Sequence, residues 1–397
     1  LHKTIGYGDD MQPRLWVLVC LGAIGPLAMN IFIPSIPGLM SIFESSYATV
    51  QLVLTAYLVS MAFAQLIVGP LSDRFGRRLV ALTGLSVCVF GSVLCIYSVY
   101  IEMLIVGRVI QAIGACSGLV MARTIIRDIF GLDKAASMMG YLTMAMVIVP
   151  MLAPTIGGVL DDFFGWQASF FLVMTYGIVI FILCSQLLKE THFGPFNVRN
   201  PQQVLLDFWR LLKQWRFSRH AFQISFSSAA FFSFLGGSPF VVIELMGATK
   251  SEYGFYYIFA AGSYMFGNFL TGRYSQKLGS RRIILLGTSI GFFGGIFLYG
   301  VYLLNLLSPL LLFMGMGIIA LGNGLCLPSG TAAAISADPD RIGTAAGLAG
   351  FMQIGFGSGG AFLAGSLISN SAAPLLVIML LSVSFGFLIN LVGQKLD

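Results

Sequence analysis

Arg108 and Gln111 are the two side chains whose types and spacing best suit chemistry inside a membrane. Arg108 lies near the start of a long apolar segment (103–125), and Gln111 follows one helical turn later on the same face. A buried guanidinium is costly unless it faces protein or a water-filled cavity, where it can bind a polar or anionic solute. The alternative is an arginine near the helix end whose head group extends to the membrane surface. The pair therefore predicts a functional centre in the membrane interior.

The acidic residues lie less deep in the predicted membrane. All 16 Asp and Glu residues fall in predicted loops or near the ends of predicted spans. Glu244 is the nearest candidate for a proton carrier, and Glu102, Asp161 and Asp162 also lie near span ends. A cavity with a fixed positive charge and no carboxylate disfavours purely cationic solutes, because Arg108 would repel them at low dielectric constant. The sequence thus favours neutral, zwitterionic or anionic amphiphiles.

Other span residues are candidates for the wall of the same cavity. They carry a polar tip, a flexible thioether or a large aromatic face, which suits a pocket that accepts varied apolar ligands. Helix–helix or lipid contact is an equally good interpretation of each one. The candidates are Tyr57, Met144, Phe231, Phe234, Tyr257, Asn323 and Gln353.

The composition identifies the class of protein that must position these residues. The chain of 397 residues is 57% hydrophobic and 10% charged, with a mean hydropathy of +0.89. Soluble domains carry about 25% charged residues, so a soluble globular protein is excluded. The sequence has no phosphate-binding loop, zinc motif or paired catalytic acid, and its six cysteines show no paired spacing. We therefore expect neither an enzyme nor a cofactor-binding protein.

Apolar stretches of about 20 residues predict an all-helical membrane protein. Residues 1–10 are set aside as a tag remnant or a trimmed start. The remaining chain divides into a six-helix bundle (11–188), a cytoplasmic linker (189–218) with an amphipathic helix for an anionic membrane surface, and a second six-helix bundle (219–397). A plain linker is the alternative for the middle segment. The twelve predicted spans are 15–38, 48–70, 79–99, 103–125, 137–160, 168–188, 219–242, 253–273, 282–304, 308–330, 343–368 and 373–393.

The basic residues predict the orientation of these spans. With both termini and the even-numbered connections on one side, all of the 22 Lys and Arg residues except Arg108 and Lys250 fall on that side. The positive-inside rule makes that side the cytoplasm. The net charge of +6 is dispersed over short loops, so we expect no nucleic-acid partner. A bacterial inner membrane and a monomer are the expected setting.

A charged loop at 69–78 and its weaker copy at 272–281 indicate a duplicated unit. Between the second and third spans, this loop resembles the cytoplasmic signature of the major facilitator superfamily. The resemblance implies twelve spans in two halves related by a pseudo-two-fold axis, with Arg108 in a central cavity. It also implies that Asp73 latches the outward-open state by contacting Gly343 and Thr344 at the start of span 11 and a basic residue near span 4, Arg127 or Arg123. The alternative is that these charges only set topology. The implied latch residues are Gly69, Asp73, Arg74, Gly76, Arg77, Arg78, Arg123, Arg127 and Asp128.

Further segments resemble one branch of that superfamily. Pro150, Pro154, Gly157 and Gly158 match the antiporter signature of the fifth span, for which a structural kink without directional meaning is the alternative. Segments 29–37, 123–128 and 165–171 resemble the Bcr/CflA-type drug exporters, with weaker matches at 252–255, 323–324 and 343–347.

This resemblance implies proton-driven export of small amphiphilic compounds by alternating access. The chain departs from the pattern at Asn30, where many members have an aspartate, because an amide cannot titrate near neutral pH. An exporter dedicated to one metabolite, such as a siderophore or an amino-acid or sugar derivative, is the alternative, with altered or absent proton coupling. A membrane sensor or intramembrane enzyme is a third and weaker interpretation.

Overall fold

The computed structural model describes residues 15–191, 201–338 and 342–396, and these residues are almost entirely helical. The set-aside start (1–10) and the linker residues 192–200 lie outside this part of the chain. A short 3-10 turn (Ile33–Ser35) and a π-helical turn (Phe240–Leu245) accompany the α-helices. The helices are α1 (Leu15–Asn30), α2 (Leu39–Ile42), α3 (Tyr47–Phe75), α4 (Arg77–Ile96), α5 (Ile101–Phe164), α6 (Gln167–Leu187), α7 (Pro201–Lys213), α8 (Trp215–Pro239), α9 (Lys250–Leu278), α10 (Ser280–Leu303), α11 (Pro309–Ile335), α12 (Ile342–Leu367) and α13 (Ala373–Leu396).

Nine segments of the described chain are long and apolar enough to cross a membrane. They coincide with nine of the predicted spans. The other three predicted spans fall in the second part of α5, in α9 and in α12, which are all helical. Helix α9 contains several tyrosines and Asn268, which lower its mean hydropathy. The all-helical membrane fold is confirmed, and the count of twelve spans stays a prediction.

Helix α5 is one run of helical residues that reverses direction. A Cβ atom on Gly22 of α1 would lie 3.3 Å from Ala122, 3.7 Å from Leu142 and 3.2 Å from Met146. Twenty residues of a straight helix would separate Ala122 from Leu142 by about 30 Å. Both residues touch the same point of α1, so α5 consists of two antiparallel arms. The first arm, Ile101–Ile126, is one of the nine apolar segments.

The two halves of the molecule share a repeated pair of helices. The N-half is residues 15–191 and the C-half is residues 201–396. Helix α3 of the N-half begins with an N-cap in which Ser46 accepts from the Thr49 amide, and α9 of the C-half begins with a Thr249–Glu252 capping box. Both helices end at a glycine with positive φ, which other residues adopt only with strain: Gly76 at 91° and Gly279 at 77°. The loop duplication in the sequence is therefore matched by duplicated helix ends.

The most extensive contacts between the halves follow the same symmetry. Helix α3 packs on α12, and the second arm of α5 packs on α9. Within the N-half, α1, α4 and α6 pack around α5, and within the C-half α8, α10 and α11 pack with α12 and α13. Buried apolar residues from these helices fill both halves. The predicted linker helix is present as α7, which buries Leu211 against the C-half and leaves Trp209 exposed.

Candidate functional site

Arg108 is fully buried in the N-half, with 0% of its side chain surface exposed. Its Nη1 donates to the Ala28 carbonyl at 2.9 Å and to Gln111 Oε1 at 2.6 Å, and its Nε lies 3.5 Å from the Val53 carbonyl. Among the described residues, Nη2 has no hydrogen-bond partner. None of the described carboxylates pairs with this guanidinium. The positive charge of Arg108 is therefore stabilised by carbonyl and amide oxygens, and its Nη2 group can still donate a hydrogen bond to a bound solute.

Aromatic rings surround the same guanidinium. Its central carbon lies 4.1 Å from the Tyr57 ring centroid, 5.7 Å from Phe32 and 5.8 Å from Phe170. The electron-rich faces of such rings attract a cation, and the attraction is strongest where water is excluded. Tyr57 is held in place by a 3.0 Å hydrogen bond from its hydroxyl to the Gly25 carbonyl. The ring cage compensates part of the cost of burying an unpaired charge.

Gln111 connects Arg108 to a further helix. Its Nε2 donates to Ser92 Oγ at 2.7 Å, and Ser92 in turn donates to the Cys88 carbonyl at 2.9 Å. The one-turn spacing predicted from the sequence thus places amide and guanidinium in direct contact. We call Arg108, Gln111, Tyr57, Phe32 and Phe170 the arginine centre.

Asn30 ends α1 beside the segment that carries Phe32. Its Nδ2 donates to the Pro26 carbonyl at 2.8 Å, whereas its buried Oδ1 has no hydrogen-bond partner in the described part of the chain. The amide oxygen can accept a hydrogen bond from a solute or a water molecule. A buried acceptor without a protein partner calls for an explanation, and a role in binding a polar solute supplies one.

The remaining predicted cavity residues lie mainly in the interior of the C-half. Phe234 packs edge-on against Phe313, and Tyr257 stacks on Tyr253. Asn323 Nδ2 donates to the Ser227 carbonyl at 3.1 Å. Phe231 and Gln353 are half-buried, and the side chain of Met144 lies outside the described part of the structure. The buried side chains of Phe234, Tyr257 and Asn323 contact neighbouring residues of the C-half, and a role of all the candidates in a cavity wall stays a prediction.

The antiporter signature forms a tight seam between the halves. A Cβ atom on Gly158 would lie 2.8 Å from the Lys250 carbonyl carbon, closer than such atoms approach, so only glycine permits this contact. Thr155 Oγ1 donates to the Gly254 carbonyl at 2.8 Å. Pro154 is buried in the same arm of α5, which stays helical through both prolines of the motif. The neighbouring Gly157 packs closely against the Ile31 carbonyl of the N-half, whereas Gly158 packs against Lys250 of the C-half.

Charged residues complete this seam. Lys250 Nζ pairs with Asp161 at 2.9 Å, and Asp162 accepts hydrogen bonds from the Ser251 amide and hydroxyl. Tyr47 also crosses between the halves, donating to the Gly236 carbonyl at 2.6 Å. We call the contacts of residues 155–162 with residues 250–254 the closing seam. It lies at the membrane face opposite to Gly76.

Glu244, the predicted proton carrier, is exposed in the π-helical turn that follows α8. Its position is on the same side of the molecule as the closing seam, since α8 and α9 meet there. The structure therefore places it at the protein surface and outside the arginine centre.

The predicted latch loop is anchored within the N-half. Arg77 Nε pairs with Asp128 at 3.0 Å, its Nη1 donates to Ser72, and Arg78 donates to the Ser185 carbonyl at 2.7 Å. Arg74 is exposed and lies 5.2 Å from the Phe75 ring centroid. A Cβ atom on Gly69 would meet no atom within 4 Å. Arg123 is exposed and Thr344 is half-buried, and the side chains of Asp73 and Arg127 lie outside the described part of the structure.

Sequence reasoning missed several residues of these sites. Phe32 and Phe170 of the arginine centre fall inside segments that already carried the family resemblance, so their motifs contained the signal. Ser92 had no such signal. Lys250 stood out in the sequence as the basic residue on the wrong side of the membrane, and its partner Asp161 explains that position.

Comparison with known proteins agrees with this architecture. The family model of the Major Facilitator Superfamily matches residues 18–364. The bicyclomycin resistance protein homolog of Haemophilus influenzae is 26% identical over 90% of each chain. Multidrug resistance protein D of Escherichia coli is 26% identical over 87% of this chain and 86% of its own.

Solved structures support the fold. The structure of a bacterial homolog of the human lysosomal transporter Spinster superposes with a TM-score of 0.73 at 16% identity, covering 96% of this chain and 97% of the other. The resemblance to Bcr-type and multidrug resistance proteins first noted in the motifs is thus confirmed. The chain is a membrane transporter, not an enzyme, and it belongs to the Major Facilitator Superfamily.

Proposed function

We propose that this transporter exports small amphiphilic compounds across a bacterial inner membrane by alternating access, in exchange for protons. The observation that carries the proposal is the closing seam, in which the second arm of α5 and the start of α9 approach to backbone contact. A Cβ atom at Gly158 would collide with the Lys250 backbone, and Thr155 donates a hydrogen bond to the Gly254 carbonyl. Close contact between the two halves at this end of the helices is an arrangement that a rocking motion of the halves can make and break.

The charge distribution supports the orientation of the transporter in the membrane. The basic loop residues place the Gly76 face and both termini in the cytoplasm under the positive-inside rule. The closing seam then seals the external face, and α7 lies along the cytoplasmic surface with Trp209 and Lys213 at the lipid boundary. Names of the related proteins refer to drug resistance, which supports multidrug efflux as the physiological task.

The arginine centre supports the substrate class. Arg108 carries a charge that no described carboxylate neutralises, and it retains an unused donor group at Nη2. Such a group can bind a carbonyl, carboxylate or phosphate oxygen of a solute. The positive charge of Arg108 repels cations, because charges interact strongly in an interior of low dielectric constant. We therefore propose neutral, zwitterionic or anionic amphiphiles as substrates.

Transport into proteoliposomes tests the proposal. The purified chain is reconstituted, a pH gradient is imposed and then collapsed, and movement of a neutral amphiphilic antibiotic is followed beside that of a cationic dye. We expect transport of the antibiotic that stops when the gradient is collapsed, with little movement of the dye. Equilibration of both compounds without a gradient would refute proton antiport, and preferred transport of the dye would refute the substrate class.

An exporter dedicated to one metabolite is the second candidate. Asn30 favours it, because the amide fixes a hydrogen-bonding geometry that a broad-specificity carrier does not need. Competition separates the two functions. Unrelated amphiphiles that inhibit one another's transport indicate a polyspecific exporter, and inhibition restricted to close chemical relatives indicates a dedicated one.

A further inference from the structure

Gln51 is a glutamine of α3 whose amide group is buried without a hydrogen-bond partner. Its side chain is 0% exposed. Among the described residues, neither its Nε2 nor its Oε1 has a partner. A buried amide that bonds to nothing loses its hydration without compensation, so such a group is rare and calls for an explanation. Both the donor and the acceptor of Gln51 can therefore still bond to a solute.

Gln51 lies at the contact between the two halves. A Cβ atom on Gly236 of α8 would lie 2.7 Å from Gln51 Nε2, and one on Gly365 of α12 would lie 2.7 Å from Gln51 Cβ. Both distances are shorter than unstrained contacts, so only glycine at these two positions leaves room for the glutamine. The Gly236 carbonyl accepts a hydrogen bond from Tyr47 at 2.6 Å. Helices α8 and α12 thus cover the Gln51 side chain in this conformation.

Thr55 continues the same face of α3 one helical turn farther along, because residues four apart are neighbours on a helix surface. Its side chain is 9% exposed. Its hydroxyl likewise has no hydrogen-bond partner in the described part of the chain. We call Gln51 and Thr55 the polar strip. It offers a solute one amide donor, one amide acceptor and one hydroxyl.

The polar strip lies at the level of the arginine centre along α3. The carbonyl of Val53, which stands between the two strip residues, is 3.5 Å from Arg108 Nε, and the Tyr57 ring faces the same guanidinium. Residues two apart on a helix point about 200° away from each other, so Thr55 points away from the direction of Tyr57. Helix α3 therefore separates the arginine centre from a polar surface between the halves. That interface, near the middle of the membrane, is where transporters built from repeats bind their solutes.

We propose that the polar strip binds the solute through a group that both donates and accepts hydrogen bonds, such as a primary amide. The strip becomes accessible when α3 separates from α8 and α12. The carbonyl of the solute amide then accepts from Gln51 Nε2, and its two N–H groups donate to Gln51 Oε1 and to the Thr55 hydroxyl. An ester has no N–H group and leaves these two acceptors without a partner. The inference rests on the proposed transport of neutral amphiphiles and adds the group by which they are recognised.

Binding to the full chain in detergent micelles tests this inference. The probes are radiolabelled 4-phenylbutanamide and methyl 4-phenylbutanoate, which differ in the amide and ester groups, and equilibrium dialysis gives the affinity for each. The variant is Gln51→Leu, and the matched control is Gln65→Leu on the same helix. Gln65 also packs on a glycine of α12, since a Cβ atom on Gly350 would lie 3.0 Å from its Oε1. At 1.5 Å per residue, Gln65 lies about 21 Å farther along α3 than Gln51.

The preference for the amide over the ester is the quantity that decides. We expect the parent protein to bind the amide about tenfold more tightly than the ester, because the ester lacks the donors that the strip needs. Gln51→Leu should weaken binding of the amide about tenfold and leave that of the ester within about twofold, so that the preference disappears. Gln65→Leu should keep the preference of the parent.

Three results would overturn the inference. They are equal weakening of both probes by Gln51→Leu, which would indicate a structural role, an unchanged preference in that variant, and the lack of saturable binding of the amide to the parent. The assay needs neither a membrane nor a pH gradient. Failure of proton antiport would therefore leave these affinities unchanged and is distinguishable from failure of the polar strip.

Thr55→Val covers the case in which Gln51→Leu fails to fold. Valine has nearly the same shape as threonine and removes the hydroxyl alone. We expect the folded Thr55→Val protein to bind the amide about threefold more weakly, with the ester within about twofold of the parent, because one of the hydrogen bonds to the solute is lost. Retention of the full preference of the parent in this variant would overturn the inference.

Discussion

Gly158→Ala is predicted to open the closing seam. An alanine Cβ would lie 2.8 Å from the carbonyl carbon of Lys250. Unstrained contacts between such atoms need about 3.5–4.0 Å, so α5 and α9 must separate by about 1 Å at this point. Overpacking of this kind costs about 1–3 kcal/mol, and only the conformation with a closed seam bears the cost.

The expected effect on the conformational equilibrium follows from that cost. A difference of about 1–3 kcal/mol between two states changes their ratio by about 5- to 150-fold. The gain in helix propensity from glycine to alanine, about 1 kcal/mol, acts equally on both states and leaves their ratio unchanged. The fraction of molecules with an open seam should therefore rise at least about fivefold, provided that it is small in the parent protein.

Thiol labelling measures that fraction. The reporter is Ser35→Cys in a chain whose six native cysteines are replaced, because the Ser35 side chain is 1% exposed. A Cβ atom on Gly38 would lie 3.5 Å from the Ser35 carbonyl oxygen and 3.4 Å from Lys250 Nζ, so Ser35 lies next to the closing seam. A membrane-impermeant maleimide added to intact cells reaches the reporter only when the seam opens to the outside. We expect Gly158→Ala to raise the labelling rate at least about fivefold.

Gly262→Ala is the matched control for this experiment. It makes the same substitution on α9, where the added Cβ meets nothing within 4 Å, so the labelling rate should equal that of the parent. Similar rates for Gly158→Ala and the parent would refute the role of the seam. Labelling only in inside-out vesicles would instead reverse the proposed orientation.

Three further perturbations test separate parts of the structure. Arg108→Lys keeps the positive charge but not the several hydrogen bonds of the guanidinium, which include the one to Gln111. We expect transport in proteoliposomes to fall about tenfold while the thermal midpoint of unfolding changes little. Unchanged transport would contradict a role of the arginine centre in transport. Gly76→Ala should lower the thermal midpoint of unfolding more than Gly279→Ala. Both substitutions strain a positive φ at a cost of about 1–3 kcal/mol, but only Gly76→Ala also displaces the Glu190 carboxylate, which accepts hydrogen bonds from the first amides of α4. Equal losses for the two variants would mean that the Glu190 carboxylate adapts. Glu244→Gln is expected to leave the dependence of transport on the pH gradient unchanged, because Glu244 is exposed at the protein surface and outside the arginine centre, and loss of that dependence would identify this carboxylate as the proton carrier.

Local features of the fold were predictable from the sequence. Hydropathy identified the helices, because every backbone group inside a membrane must be satisfied within its own helix. The duplicated segments 69–78 and 272–281 predicted a repeated unit, and they contain the matching ends of α3 and α9. The prediction of a loop over 69–78 was wrong, because α3 continues to Phe75 and α4 begins at Arg77, so that only Gly76 interrupts the helices. The contact of Arg108 with Gln111 was predictable for the same reason, because residues three apart meet on one helix face.

Contacts between distant segments required the tertiary structure. The pairing of Asp161 with Lys250 and the position of Phe170 beside Arg108 could not be predicted from hydropathy, which makes all apolar helix faces equivalent. In lipid the partners of a helix are chosen by close packing and polar contacts rather than by burial of apolar surface from water. The sequence alone determined that the long apolar segments are helices, but not where they end: α5 runs from Ile101 to Phe164, through the predicted connection between the fourth and fifth spans. Only the packing of those helices decided that Gly158 lies against the Lys250 backbone, because that contact joins segments far apart in the sequence.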